Sequence, residues 1–239
     1  MRVAALYDIH GNLPALEAVL AEAEDVGTEA VVFGGDVVGG PFSAEVYDRA
    51  TAVREARFVR GNADRMVLEG ASEFGVDWDA ERARLGAARL ETIRSWPLTV
   101  ELEIDRLGQA LFCHAVPAAD EPIFTRLTPD AEVEQMLGDT EADLVVCGHT
   151  HVQFDRRLPG GLRVVNAGSV GMPYEGRRGA FWALVGPDIE LRRTEYDVER
   201  AAAAIRRSLA ADAEDHARRL LEPPGADEAS QFFESRRGA

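Results

Sequence analysis

The chain has 239 residues, 46% of them hydrophobic, and a net charge of −16; this fills the core of one compact domain with at most a small appendage. Its acidity argues against sequence-independent binding to nucleic acid or to an anionic membrane. The chain starts Met1-Arg2 and goes straight into the first apolar run, Val3-Ala4-Ala5-Leu6-Tyr7, with no charged leader or long apolar stretch before it, so neither a signal peptide nor a membrane span is expected. The two cysteines, Cys113 and Cys147, each lie in an apolar run. Reduced thiols serving as small buried hydrophobes in a cytoplasmic protein fit them better than a disulfide framework.

Val3 to Tyr7 reads as a buried strand that runs into Asp8. Asn12-Leu13-Pro14 opens a helix, with Leu16, Val19, Leu20 and Ala23 on its apolar face. Ala30 to Phe33 is a second strand, leading to Asp36, and Ser43 to Glu55 a second helix. Ala56 to Val59 is a third strand, leading to Asn62. Asp64 to Trp96 is mostly helical and is closed by Pro97; it reads as a crossover between strands, with a cap over the substrate pocket as the alternative. Leu98 to Ile104 and Gln109 to Cys113 form a hairpin around Leu107-Gly108 that ends at His114. Leu144 to Cys147 is a strand leading to His149.

Two further hairpins are expected, around Pro159-Gly160-Gly161 and Gly186-Pro187-Asp188. Asp197 to Leu221 reads as one long Ala-rich helix, ended by Pro223-Pro224-Gly225. Residues 222–239 are expected to be a flexible tail beyond the domain formed by residues 1–221, although Phe232-Phe233 is able to dock back or hold a partner. The β-rich second half favours two stacked sheets with helices outside over a single doubly wound sheet.

Five times, then, a short apolar run ends in a residue of metal-ligand type. In open α/β sheets ligands bind beyond the carboxyl ends of the strands, so these residues converge at one rim. Four of the five histidines take part, in Asp8-Ile9-His10, at His114 and in Gly148-His149-Thr150-His151. Asp8 and His10, like His149 and His151, are two residues apart and can face one side at a strand end. Asp36, between Gly34-Gly35 and Gly39-Gly40, is the best candidate to touch two ions, one through each carboxylate oxygen. Asn62 adds a neutral amide oxygen. Mixed imidazole and oxygen ligation suits two divalent ions of Mn, Fe, Ni, Co or Zn better than Mg. Ions roughly 3.5–4 Å apart lower the pKa of a bridging water and hold it for in-line attack on phosphorus. No convincing nucleophilic triad is present, and no Gly-rich loop with Lys.

The ordered set Asp8-x-His10, Gly35-Asp36-x-x-Gly39, Gly61-Asn62-x-Asp64, His114 and Gly148-His149-Thr150-His151 resembles the calcineurin-like metallophosphoesterases. Asn166-Ala167-Gly168-Ser169-Val170-Gly171 is similar to a loop of their small bacterial and archaeal phosphodiesterase branch. The match runs over roughly residues 1 to 196 and implies an α/β fold, a four-layer αββα sandwich. It also implies Asp8, His10 and His151 on one ion, Asn62, His114 and His149 on the other, and Asp36 between them. The reaction implied is hydrolysis of a small phosphoester or nucleotide-type substrate by a metal-bridging hydroxide, with Asp36, Asn62 and Asp64 in the catalytic set.

One departure matters. Many family members carry a histidine after the Asn of the third motif, where this chain has Ala63. Asp64, the residue that would orient that histidine, is left without an obvious client. General acid help is worth about 10²–10⁴-fold, so diesters with good leaving groups are favoured over alkyl monoesters. Thr150 reads equally as a substrate contact or as part of its turn, and Tyr174, Arg177 and Arg178 follow the Ser169 loop, where an Arg reads equally as a phosphate clamp or as part of a surface salt bridge. His216, beside Glu214 and Asp215 on a polar helix, reads as a solvated surface residue. The alternatives to a phosphodiesterase are a scaffold of this fold with weak or no catalysis, as in the retromer subunit, and a protein-phosphatase-like monoesterase.

Overall fold

A computed structural model describes residues 1–70, 77–208 and 210–237. Two five-stranded sheets pack face to face, with helices on their outer surfaces. In the first sheet the order is β10 (Ile189–Thr194), β9 (Ala180–Val185), β1 (Val3–Leu6), β2 (Ala30–Phe33), β3 (Ala56–Phe58). In the second it is β4 (Thr99–Ile104), β5 (Gly108–Cys113), β6 (Leu144–Cys147), β8 (Arg163–Asn166), β7 (Phe154–Arg157). This is the αββα sandwich expected from the sequence.

Alternation along the strands explains the layers. Val3, Ala5 and Tyr7 face the second sheet and pack with Phe112, Val146 and Val165, whereas Ala4 and Leu6 face outward into the layer built with helices α1 (Leu13–Asp25) and α2 (Ser43–Thr51), as a period of two requires. The Tyr7 hydroxyl crosses the inter-sheet core to donate to the Val146 carbonyl at 2.8 Å. Helix α5 (Asp130–Leu137) closes the outer face of the second sheet through Val133 and Leu137.

Each sheet has three adjacent parallel strands, β1, β2 and β3 in one and β5, β6 and β8 in the other. Their carboxyl ends point to a common rim, and all five strand-end residues inferred from the sequence lie there. The three expected hairpins form as antiparallel pairs β4–β5, β7–β8 and β9–β10. The stretch from Asp64 to Trp96 contains α3 (Asn62–Glu69) and α4 (Trp78–Arg94); the part of that expectation covering residues 71–76 lies outside the described residues. α4 delivers the chain from β3 in one sheet to β4 in the other, so the crossover reading holds.

The C-terminal region differs from expectation. Instead of one helix over Asp197 to Leu221 there are two, α6 (Val198–Arg206) and α7 (Ala213–Leu221), which fold against each other around Val198, Ala202, Ile205, Ala217 and Leu220. The segment expected to be a flexible tail carries a further helix, α8 (Ala226–Glu234). Glu234 accepts hydrogen bonds from the Thr125 and Thr128 hydroxyls, the former at 2.7 Å, and Arg126 pairs with Asp227. The Phe233 ring lies 6.2 Å from that of Tyr174. Its partners are all distant in sequence, so composition gave no sign that this segment docks. Among the described residues no helix is long and apolar enough to cross a membrane.

Candidate metal centre

All seven candidate ligands meet at the rim. Five of them, Asp8, His10, Asp36, His149 and His151, have left-handed backbone, with φ between 46° and 67°. Apart from Glu55 and Arg106 they are the non-glycine residues so placed among the described residues. Such conformations cost about 1–3 kcal/mol each and cluster at functional sites. They let the chain turn sharply at each strand end so that consecutive side chains point inward. Glycines make room: a Cβ at Gly35 would lie 2.5 Å from His114 Nδ1, and one at Gly61 2.2 Å from Asp36 Oδ1.

The donors converge on two points. At the first, Asp8 Oδ1 lies 3.2 Å from His151 Nε2 and 3.9 Å from His10 Nε2, and the two Nε2 atoms are 3.3 Å apart. His151 Nδ1 donates to the Met172 carbonyl at 2.6 Å, which in the neutral ring leaves Nε2 with a lone pair. Asp8 Oδ1 is buried and accepts no hydrogen bond. A carboxylate oxygen and two imidazole nitrogens held this close are able to hold a cation. At the second point His114 Nε2 lies 3.5 Å from Asp36 Oδ2 and 3.0 Å from Asn62 Oδ1. The His149 ring centroid is 5.1 Å from that of His114, and His149 Nε2 bonds the Glu121 carbonyl at 3.1 Å, leaving Nδ1 for the centre.

Asp36 joins the two. Its Oδ2 is 3.6 Å from His10 Nε2 and 3.5 Å from His114 Nε2, while Oδ1 accepts the Ala63 amide at 2.7 Å. Oδ2 is thus the oxygen that faces both histidine clusters, while Oδ1 is turned to the backbone. His114 Nδ1 donates to the Gly34 carbonyl at 3.1 Å, so three ligand imidazoles are oriented by backbone carbonyls, the usual outer support of a metal site. These residues fit divalent cations of the kind that mixed imidazole and oxygen donors select.

Charge follows the geometry. Burial alone would raise the Asp36 pKa, but His114, His10 and His149 around it hold it well below the carboxylate range. Burial disfavours charge on His114, yet Asp36 and Asp8 push it up to about 10. Desolvation at the rim and the neighbouring His114 push the half-buried His149 down to about 4, and desolvation also lowers His10. At pH 8 the metal-free His114 thus holds a proton that a ligand to a cation must give up. Ion uptake at pH 8 should release about one proton per chain. Mn²⁺ titration calorimetry in buffers of different ionisation enthalpy measures it, and a heat independent of buffer would contradict this charge arrangement.

The structure reassigns several other residues. Asp64 has a client after all: its oxygens accept the backbone N–H groups of Val37 and Val38 at 3.1 Å and of Gly61 at 3.0 Å. Fully buried, it is a positioning residue that ties the Asp36 loop to the Asn62 loop. Burial and the nearby Asp36 charge push its pKa up to about 7, against the pull of these hydrogen bonds. Thr150 is buried and its hydroxyl accepts from Asn166 Nδ2 at 3.1 Å, so it completes the turn. Arg178 donates to the Leu221 carbonyl and pairs with Glu199, and Arg177 lies over Phe181; both support the fold. Tyr174 does reach the centre, its ring stacked 4.7 Å from that of His151. His216 is 1% exposed, not solvated. It shares the buried stripe Ala213, His216, Ala217, Leu220 of α7, and that i, i+3, i+4, i+7 spacing was the available signal. Burial and the His10 ring push it down to about 3.

The calcineurin-like phosphoesterase superfamily domain model matches residues 1–185. The chain belongs to this superfamily. The uncharacterised protein MJ0912 of Methanocaldococcus jannaschii is 29% identical, over 83% of this chain and 89% of its own. A metallophosphoesterase from Sphaerobacter thermophilus superposes with a TM-score of 0.76 at 25% identity, covering 93% of this chain and 98% of that one. Protein PH1004 from Pyrococcus horikoshii OT3 gives 0.74 at 21% identity, with 94% and 99% covered, a likeness of fold. Family members use metals, and two groups here, Asp8, His10 and His151, and Asp8, Asp36 and His114, could each hold an ion.

Proposed function

We propose that this family member is a two-ion phosphoester hydrolase that favours diesters or nucleotide-type substrates with good leaving groups. The observation that carries the reading is Asp36 Oδ2, set 3.6 Å and 3.5 Å from the Nε2 atoms of one histidine of each cluster. Asp8, His10 and His151 would hold one ion; Asn62, His114 and His149 the other. Bound ions of this class supply Lewis acidity toward phosphoryl oxygens and toward water. His10, Asn62 and His149 are the partly exposed members of the set, so substrate enters over them.

The leaving-group side is poorly equipped. Ala63 is 4% exposed, and its methyl faces Gly39 near the Trp78 ring; a Cβ on Gly39 would lie 3.0 Å from Ala63 Cβ and 3.3 Å from Trp78. The position is part of the core and donates its amide to Asp36. Without a side-chain acid there, substrates whose leaving oxygen needs no proton react best. Purified protein should hydrolyse bis(p-nitrophenyl) phosphate with Mn²⁺ faster than p-nitrophenyl phosphate. EDTA should abolish turnover and Mn²⁺ restore it. Two bound ions with no turnover of either ester would instead identify a metal-binding scaffold, the reading that Ala63 also favours.

A further inference from the structure

The three residues assigned above to the second ion position come from three separate segments. Asn62 opens α3, His114 follows β5 and His149 follows β6. Arg65 lies three residues after Asn62 on α3, and residues at that spacing are neighbours on a helix surface.

The Arg65 side chain leaves its helix and grips the segment that follows His114. Its Nε donates to Asp120 Oδ1 and Oδ2 at 3.2 and 3.0 Å, and Nη2 donates to the Glu121 carboxylate. Nη1 stays on α3, donating to Glu69 at 2.9 Å. Asp120 is 7% exposed, so its pair with Arg65 is screened less than a surface ion pair.

The gripped segment reaches both histidines. Near its start, Val116 and Ala119 exchange backbone hydrogen bonds of 3.1 and 3.2 Å, closing a tight turn two residues after His114. At its end the Glu121 carbonyl accepts from His149 Nε2 at 3.1 Å. One guanidinium therefore joins the helix that carries Asn62 to the strap that starts at His114 and orients His149.

We propose that Arg65, clasped to Asp120 and Glu121, is a positioning residue for the ion held by Asn62, His114 and His149. It sets the affinity of that ion by fixing the spacing of the three segments, not by ligation. This inference rests on the two-ion reading above.

Stepwise Mn²⁺ affinities of the full-length, metal-stripped chain test it by titration calorimetry. Outer partners of metal ligands are worth about 10–100-fold in affinity. Arg65→Gln should weaken one of the two steps by that factor, and it should be the step that Asn62→Ala weakens. Asp120→Asn should weaken the same step, and the double variant should be no worse than Arg65→Gln, because both break one link. Arg65→Lys, which keeps the charge but loses the planar fork, should recover part of the loss. Glu69→Gln removes only the partner on α3 itself and should leave both steps unchanged. Asp120→Asn, which keeps the side-chain volume, carries the same test should Arg65→Gln fail to fold. Both steps unchanged in Arg65→Gln and Asp120→Asn overturns the clasp, as does equal weakening of both steps or weakening of the step that Asn62→Ala spares. A wild-type chain that takes up fewer than two ions overturns the two-ion reading instead.

Discussion

Asp36→Asn should reduce Mn²⁺-dependent hydrolysis of bis(p-nitrophenyl) phosphate by on the order of 10³-fold. The wild-type oxygen Oδ2 lies between His10 and His114, so one substitution weakens both ion positions at once. Losing a mere outer partner costs about 10–100-fold in metal affinity or activity, and losing the shared inner carboxylate costs more. The amide oxygen can still accept the Ala63 N–H, now at 2.7 Å from Oδ1, so the fold should survive. Far-ultraviolet circular dichroism and the melting temperature of metal-free protein check that. Metal content per chain should fall in parallel with the rate. Retained activity with two bound ions would remove Asp36 from its central place.

The largest effect on stability is expected from Asp64→Ala. Its carboxylate satisfies three buried backbone donors, those of Val37, Val38 and Gly61. Each buried donor left without an acceptor costs about 1–3 kcal/mol, offset in part because the variant also removes a carboxyl that burial penalises. A net loss of about 3–5 kcal/mol follows, which for a domain of this size lowers Tm by roughly 10 °C. Asp64→Asn keeps one accepting oxygen and should fall between. Thermal unfolding of the metal-free protein measures both, and an unchanged Tm in Asp64→Ala would refute the positioning role. Weaker ion uptake should accompany the loss, since Asp64 holds the loop that carries Asp36.

Much of the site was legible before folding because each ligand ends a short buried strand, and a parallel sheet gathers its strand ends at one rim. Asp8, Asp36, Asn62, His114 and His149 follow that rule, and the three hairpins declared themselves through their Pro and Gly turns. Local order and motif spacing thus determined the two-sheet architecture, the strand-end placement of the candidate ligands and the absence of an acid at Ala63. Tertiary structure alone decided the rest. That Asp36 faces both clusters through Oδ2, that Asp64 caps backbone donors, and that Arg178 binds helix termini depend on contacts across tens of residues. The same holds for α8, anchored at Thr125 and Thr128, and for His216, whose acidic neighbours in sequence suggested solvent. Burial is a property of which helix face meets the fold, and for α7 that face is chosen by packing against α6 and the rim of the metal centre, not by the residues on either side of the histidine.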